Sequence, residues 1–381
     1  MGVTAREVRA PIRLSQTLSS LIGPPSGERV YFPSIDLLRG LAAIAVVLFH
    51  YLNFFIPPGS EEAAPNYPSL EPLHAFLWPF YDYGLWAVQL FWLISGFVFA
   101  ATYAGRQTTG RRFLVARIAR LYPLHLLTLC VVAALQYYRL AWLGSFQIFQ
   151  TNDLYHFVLN LFFASYWGLQ RGLSFNAPIW SVSVEVAIYA AFWITLKPLY
   201  RKGVVGPIIL SLAFTVGSVF NLPGTVFWQC GFYFFLGSAI NIAYPHLRNW
   251  PWLLALAGVA ALGAGAALVV VLHQPVGRLM PVLLPGMILI VCAIEAAGWA
   301  RGSRWTRWIG DNSYGVYLWH IPVQLVLLLV LDGVVGGRTA VTSAWFLALF
   351  VGLVVGIARL SYLAFERPAQ EAIRRLAIPG A

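Results

Sequence analysis

The sequence predicts an all-α polytopic membrane protein with about ten transmembrane helices and both termini in the cytoplasm. Hydrophobic residues make up 59% of the 381 residues and charged residues only 10%, whereas a soluble domain carries about 25% charged residues. Long apolar runs recur from residue 35 to residue 363. This pattern excludes a soluble enzyme that is held at the membrane by a single anchor.

Glycine, proline and short polar clusters separate the apolar runs, so each run is interpreted as one helix. The predicted spans are 34–57, 84–104, 118–138, 178–198, 204–220, 225–243, 252–273, 280–299, 313–332 and 340–363. They divide the chain into an N-terminal cytoplasmic extension at 1–33, a membrane domain at 34–363 and a cytoplasmic tail at 364–381. The aromatic-rich stretch 139–177 holds an apolar run of only about 16 residues, too short to span, and is predicted to be a re-entrant or interfacial helix.

The distribution of charge predicts the orientation. The chain carries 25 Lys and Arg and a formal net charge of +11, and most of these cations fall in alternate loops, as expected for cytoplasmic segments. The loop 58–83 contains four acidic residues and neither Lys nor Arg, so it is predicted to lie outside. The basic character therefore indicates a multi-pass protein of the inner (plasma) membrane, surrounded by lipid, and not a nucleic-acid-binding protein.

The first span, "SIDLLRGLAAIAVVLFHY", carries Asp36, Arg39 and His50. A charged side chain at the centre of a membrane helix costs roughly 2.5–3.5 kcal/mol on insertion scales, so such residues are functional candidates. Arg39 and His50 are separated by about three helical turns and are predicted to share one face. Asp36 lies one turn before Arg39 and can pair with it.

Glu185 in "NAPIWSVSVEVAIY" has the same predicted depth as His50. A carboxylate can orient a neutral imidazole, so His50 is predicted to be a catalytic general base that Glu185 orients. The alternative is that both residues are interhelical hydrogen-bond partners that hold the bundle together. The cysteines show no metal-ligand spacing, and no metal is expected.

Two arginines mark a predicted anion site at the inner end of the third span. Arg117 and Arg120 in "RRFLVARIARLYP" have i, i+3 spacing and share one helix face. Paired guanidinium groups suit phosphates, as a donor such as coenzyme A would supply. Glu366 in "SYLAFERPAQ" has a similar predicted depth and can pair with one of them.

A protein-enclosed, partly wet channel would keep these polar groups away from lipid. The residues predicted to line this channel, besides Arg39 and His50, are Asp36, Trp180, Tyr317 and His320. For His320 in "SYGVYLWHIP", a structural residue packed beside Trp and Pro is an equal alternative.

These segments, taken in order, resemble acyltransferase family 3 of integral-membrane acyltransferases. The matching pieces are "IDLLRGLAAIAVVLFHY", "QLFWLISGFVFA", "FLVARIARLYPLHLL", "NAPIWSVSVEVAIYAAFW", "SYGVYLWHIP" and "LAFERPA". The resemblance runs from about residue 33 to residue 370. Each piece is weak alone, whereas the ordered set is specific.

The resemblance implies a ten-helix membrane domain that transfers an acyl group, usually acetyl, from cytoplasmic acyl-CoA to a hydroxyl of a carbohydrate or glycolipid. It implies that His50 is the essential histidine and that Arg39, Arg117, Arg120 and Glu366 belong to the donor site. The family motif around Glu185 usually holds two adjacent acidic residues, and Val186 replaces the second one here. A mechanism that needs two carboxylates at this place is therefore in doubt.

Other functions are compatible with polar residues inside the membrane. The acceptor of an O-acyltransferase could be an envelope polysaccharide or, as an alternative, a macrolide or other secondary metabolite. A transporter or flippase of glycolipid precursors also needs polar residues at depth, although no paired broken spans indicate inverted repeats. A purely structural subunit is disfavoured by the matched depths of His50 and Glu185.

The predicted orientation can be tested by labelling from each side of the membrane. We expect cysteines introduced at Ser60 and Thr108, after replacement of the three native cysteines, to react with a membrane-impermeant thiol reagent from opposite sides. Ser60 should be accessible from the periplasm and Thr108 from the cytosol. Labelling of both cysteines from the same side would refute the orientation.

Overall fold

The computed structural model describes residues 31–299 and 302–377, and these residues form helices and loops without a β-strand. The predicted N-terminal extension at 1–33 lies almost entirely outside the described residues. The described α-helices are α1 Pro33–Phe49, α2 His74–Tyr83, α3 Ala87–Tyr103, α4 Gly110–Leu143, α5 Leu154–Leu161, α6 Trp180–Tyr200, α7 Val205–Val219, α8 Thr225–Leu247, α9 Pro251–Leu272, α10 Met280–Ala296, α11 Arg304–Val330, α12 Ala344–Ser361 and α13 Arg367–Ala377.

The all-α membrane fold is confirmed. In the described part of the chain, nine helical segments are long and apolar enough to cross a membrane, which is close to the ten that the sequence predicts. The difference lies in α7, which is apolar but has 15 residues. At 1.5 Å per residue it is about 22 Å long, shorter than the roughly 30 Å hydrocarbon core.

Helix α4 extends well beyond the predicted span 118–138, and its two ends have clear local causes. The Thr109 hydroxyl accepts a hydrogen bond from the backbone N–H of Arg112, which caps the first turn. Gly144 ends the helix in the left-handed conformation at φ 77°, a conformation that glycine adopts without strain. The 34 residues between these caps carry Arg117 near one end and Arg139 near the other.

Helices α3 and α8 approach each other so closely that only glycine fits at the crossing. A Cβ atom on Gly96 would collide with the backbone of Phe234, and one on Gly237 would collide with the backbone carbonyl of Leu93. Small residues allow this kind of packing between membrane helices, where van der Waals contact drives association. The crossing fixes the position of α3, which forms part of the wall of the cavity described below.

The stretch 139–177 contains one short helix, α5, with eight residues. Asp153 caps it by accepting a hydrogen bond from the backbone N–H of His156 at 2.8 Å. The surrounding loop is tied down by side chains, such as Asn152, whose Oδ1 accepts from the backbone N–H of Phe175 at 2.6 Å. With a length of about 12 Å, α5 is too short to span the membrane, which agrees with the predicted re-entrant or interfacial segment.

An ion-paired cluster joins three elements at the end of the bundle that is predicted to lie outside. Asp332, in a π-helical turn that continues α11, accepts from both Nε and Nη2 of Arg338 at 2.6 Å. Its Oδ2 also lies 2.9 Å from Nη2 of Arg139, whose side chain is 2% exposed. Arg338 additionally donates to the carbonyl of Phe54 at 3.1 Å and to Oε1 of Gln147 at 3.2 Å. One carboxylate therefore holds α4, α11 and the end of the first span together.

The cluster predicts a large effect of one substitution. We expect Asp332→Asn to lower the free energy of unfolding by about 3–5 kcal/mol, because it leaves the buried Arg139 guanidinium without a counter-charge. Thermal unfolding of the purified protein in detergent measures this effect. Asp311→Asn is the matched control, since Asp311 lies on α11 and is exposed. Equal stability of the two variants would contradict the role assigned to Asp332.

Candidate active site

A cavity of about 270 Å³ lies between α1, α3, α4, α6, α11 and α13. Its charged lining residues are Arg39, Arg117, Arg120, Glu185 and Arg374. Aromatic and aliphatic side chains of α3 form much of the remaining wall, together with Tyr189, Tyr314 and Tyr317. The cavity thus concentrates four guanidinium groups and one carboxylate inside an apolar bundle.

Arg117 and Arg120 are brought together as their spacing predicts, and each stacks on an aromatic ring. The guanidinium carbon of Arg117 lies 4.6 Å from the ring centre of Phe99, and that of Arg120 lies 5.7 Å from Tyr314. Such cation–π contacts stabilise a partly desolvated cation by about 0.5–2 kcal/mol. Nε of Arg117 is buried and has no hydrogen-bond partner among the described residues. This N–H therefore has unused hydrogen-bonding capacity within the described residues.

Arg39 enters the cavity from α1 and pairs with Asp36 of the same helix. The distance from Nη1 of Arg39 to Oδ1 of Asp36 is 3.4 Å, as predicted for residues one turn apart. Asp36 packs against Gly310 of α11, where any Cβ atom would collide with the carboxylate. This close approach fixes Asp36, and through it the Arg39 side chain.

Glu185 belongs to the arginine cavity and not to His50. Its Oε1 accepts a 2.8 Å hydrogen bond from the hydroxyl of Tyr189, and it lines the same cavity as Arg117 and Arg39. The imidazole of His50 bonds to a backbone carbonyl instead. The predicted orientation of His50 by Glu185 is therefore wrong: equal depth on two helices does not bring two side chains face to face.

His50 lies just beyond the end of α1, in a 3₁₀ turn that runs from His50 to Phe55. Its Nδ1 is 2.9 Å from the carbonyl oxygen of Val46. Because a carbonyl oxygen can only accept, Nδ1 carries the proton and Nε2 of the neutral ring carries the lone pair. The ring centre of His320 lies 4.9 Å from that of His50. The neighbour of His50 is thus a second histidine.

The four predicted channel residues lie at different places. Tyr317 lines the cavity, and its hydroxyl is 2.7 Å from both Oγ of Ser181 and the carbonyl oxygen of Pro178. Asp36, Trp180 and His320 are not part of the wall that the described residues form. Trp180 packs edge-to-face on Trp92, with ring centres 5.9 Å apart.

Glu366 is buried beside the cavity and does not line it. It is 1% exposed, and neither of its oxygens has a hydrogen-bond partner within the described residues. The carboxylate lies against Gly315 of α11, and Arg120 is the cation that interacts with it electrostatically. From behind the wall, the buried carboxylate can balance the charge of Arg120. A role of Glu366 in donor binding stays a prediction.

Among the lining residues that the sequence analysis did not predict are Ser95, Tyr189 and Arg374. Arg374 comes from α13, the predicted cytoplasmic tail, which packs against α4. Its neighbours in the helix, Arg367 and Arg375, pair with Glu371 at 3.1 and 3.6 Å, whereas Arg374 is in no ion pair within the described residues. The sequence signal for Arg374 is its spacing from Arg367. These two arginines are seven residues apart after Glu366, which places them on one face of a helix.

Within residues 31–299 and 302–377, no group of three His, Cys, Asp or Glu side chains could hold a metal ion. The polar groups at hand are guanidinium donors, one cavity carboxylate and a pair of imidazoles. Such groups can bind anions and move protons.

Comparison with known proteins identifies the family. The sequence profile of the acyltransferase domain family, acyltransferase family 3, matches residues 32–362. The chain belongs to this family. The match includes every predicted site residue except Glu366, and it ends before Arg374.

Two proteins of similar sequence differ in how much of their length the chain covers. The chain is 25% identical to the peptidoglycan O-acetyltransferase OatA of Listeria monocytogenes, over 90% of this chain and 56% of OatA. It is 27% identical to the exopolysaccharide production protein ExoZ of Rhizobium meliloti, over 75% of this chain and 89% of ExoZ. The chain thus spans little more than half the length of OatA. No solved structure matches it.

The placement of Glu185 predicts how the cavity responds to loss of its carboxylate. We expect Glu185→Gln to bind inorganic pyrophosphate about 5- to 30-fold more tightly, because it removes the carboxylate charge from the cavity wall that the described residues form. One unit charge is worth roughly 1–2 kcal/mol at about 8–16 Å and an effective dielectric constant of about 20. Calorimetric titration of the purified protein measures the affinity. Weaker binding by the variant would show that Glu185 mainly positions the arginines.

Proposed function

We propose that this protein is an O-acyltransferase of the inner (plasma) membrane, which moves an acyl group, most simply acetyl, from acyl-CoA to a hydroxyl of a cell-envelope carbohydrate or glycolipid. The observation that carries this proposal is the cavity with four arginines in the membrane domain of an acyltransferase-family chain. Coenzyme A is a thioester carrier with phosphate groups, and clustered guanidinium groups suit phosphates.

The cavity supports a binding mode in which only part of the donor enters the bundle. Its volume of about 270 Å³ is below the 300–1,000 Å³ that is usual for sites of drug-sized ligands. Coenzyme A is larger than such ligands, so its pyrophosphate and flexible arm with the thioester enter the cavity while the adenosine part stays at the mouth. Arg374, which is exposed and also lines the cavity, is placed to meet the phosphate groups nearest the mouth.

His50 is the proposed general base. A hydroxyl is a weak nucleophile at neutral pH, and a positioned base contributes about 10²–10⁴-fold to the rate. The bond from Nδ1 to Val46 leaves Nε2 of His50 free to take the proton. The rival route, in which His50 itself carries the acyl group, uses the same nitrogen as a nucleophile. Arg39 and His50 lie about 16 Å apart along α1, so the thioester must travel inward from the cavity in either route.

The acceptor class is supported by the names of the relatives. One is named for O-acetylation of peptidoglycan and the other for exopolysaccharide production, and both names refer to carbohydrate polymers. The acyl group of OatA is acetyl by its name, which favours acetyl-CoA as the donor here.

The donor site can be tested with arginine variants. We expect Arg117→Ala and Arg120→Ala each to weaken acetyl-CoA binding by roughly 1.5–3 kcal/mol, through loss of a charge-assisted hydrogen bond. Lysine at either position should restore binding only in part, because the planar fork is lost. Arg111→Ala is the control, since Arg111 lies on the same helix and is exposed. If both variants bind acetyl-CoA like the control, the cavity is not the donor site.

The reaction itself can be tested with purified protein in lipid nanodiscs, with glycan strands of peptidoglycan and a soluble exopolysaccharide as acceptor probes. We expect acetyl-CoA to be consumed only when an acceptor is added, and His50→Ala to abolish consumption while binding acetyl-CoA normally. A flippase would consume no acetyl-CoA with any acceptor. Transfer by His50→Ala at the wild-type rate would exclude His50 as base and as acyl carrier. Labelled acyl on His50 without acceptor would indicate the covalent route.

A further inference from the structure

We infer that His320 is a second proton-handling residue, which shares with His50 the proton taken from the acceptor hydroxyl. The inference rests on the proposed acyl transfer and adds a partner for its base. It starts from the contact of the two imidazoles, whose ring centres are 4.9 Å apart with an angle of 47° between the ring planes.

Both rings are fixed in the same tautomer. Nδ1 of His320 is 2.7 Å from the carbonyl oxygen of Tyr317, just as Nδ1 of His50 bonds to Val46. Each Nδ1 must therefore be the donor, and each Nε2 of the neutral rings carries a lone pair. Two neutral rings of this kind can accept a proton between them but cannot hydrogen-bond to each other through Nε2. A hydrogen bond between the two Nε2 atoms can form only after one proton has been added to the pair of rings.

The side-chain amides of Gln324 and Asn53 fix the position of His50 relative to His320. Nε2 of Gln324, one turn after His320 on α11, donates to the backbone carbonyl of His50 at 2.7 Å. Oε1 of Gln324 accepts from Nδ2 of Asn53 at 3.0 Å. Both amide side chains are buried, so the 3₁₀ turn with His50 cannot slide along α11. The contact between the rings is thus fixed by hydrogen bonds between α11 and the 3₁₀ turn that follows α1.

The strongest sign is an unpartnered nitrogen. Nε2 of His320 is buried, the residue is 0% exposed, and this atom has no hydrogen-bond partner within the described residues. Buried polar atoms are nearly always satisfied, and an exception calls for a functional explanation. His320 also contacts both the cavity wall and His50, since its ring centre is 6.0 Å from that of Tyr317 and 4.9 Å from that of His50. The unpartnered nitrogen therefore belongs to a residue that links the cavity with the proposed base.

The proposed reaction releases a proton from the acceptor hydroxyl, and Nε2 of His320 can help to hold it. The acceptor O–H bond breaks as its oxygen forms a bond to the acyl carbon, and the proton passes to Nε2 of His50. The C–S bond then breaks and leaves a thiolate. Until the thiolate takes up the proton and leaves as the thiol of coenzyme A, the pair of rings carries that proton. An N–H···N bridge from His50 to Nε2 of His320 satisfies both nitrogens during that interval.

The first test needs no acceptor. Solid-state ¹⁵N NMR of the full-length protein in lipid bilayers, with labelled histidine, should show a coupling between the Nε2 atoms of two rings when the sample is acidified. His320→Phe and His50→Phe should each remove that signal. Absence of the coupling in the wild-type protein at every pH at which it stays folded would overturn the inference, even if acyl transfer is demonstrated.

The second test is kinetic and uses the acetyl-CoA assay described above. We expect His320→Phe to lower kcat about 10- to 100-fold without changing the KM for acetyl-CoA. His50 remains as the first proton acceptor, so His320 supplies only part of the roughly 10²–10⁴-fold that positioned proton transfer typically contributes. His320→Gln, which keeps an acceptor atom, should recover part of the loss, and added imidazole should partly restore His320→Ala. A merely structural role predicts neither recovery.

A second buried histidine provides the matched control. His125 is 1% exposed and its Nδ1 is also unpartnered within the described residues, but its ring stacks on Phe163 at 4.3 Å. His125→Phe should keep the wild-type kcat. A wild-type kcat in His320→Phe would overturn the inference and leave the proposed function intact. Failure of the wild-type protein with all acceptors would count against the proposed function, and the NMR result would still decide on the pair.

Discussion

The organisation of the bundle depends on one constraint, namely that several guanidinium groups must stay charged inside a membrane protein without touching lipid. A lone arginine at the bilayer centre is costly. Here Arg117 and Arg120 lie over the faces of Phe99 and Tyr314, and Glu185 supplies a negative charge in the same cavity. The surrounding helices therefore form a protein wall between these groups and the lipid.

Helices α1 and α11 connect the anion cavity with the histidine pair. Helix α1 carries Arg39 near one end and is followed by His50 at the other, and α11 carries Tyr317 in the cavity wall and His320 one turn later. Since these two helices pack along each other and are fixed by Gln324, the distance between phosphate site and base is set by rigid elements. A substrate with a long flexible arm can bridge such a distance without any movement of the helices.

The fold and half of the site could be predicted from the sequence, because they depend on local pattern. Apolar run length gives the helices, and i, i+3 spacing places Arg117 beside Arg120. The partner of His50 could not be predicted, since depth along a helix says nothing about the direction in which a side chain points. Glu185 therefore matched His50 in depth and yet faces the arginines. Arg374 was missed because its contribution depends on how α13 folds back along α4.

The buried pair of Arg139 and Asp332 has a consequence for biogenesis. Arg139 ends α4, while Asp332 is supplied by the last third of the chain. At usual rates of synthesis the ribosome needs roughly 10–40 s to make the intervening residues. During this time the guanidinium group has no counter-charge, and it must wait at the membrane surface or within the insertion machinery. The end of α4 can therefore reach its final place only after α11 has been made, so the bundle closes late and from its C-terminal side.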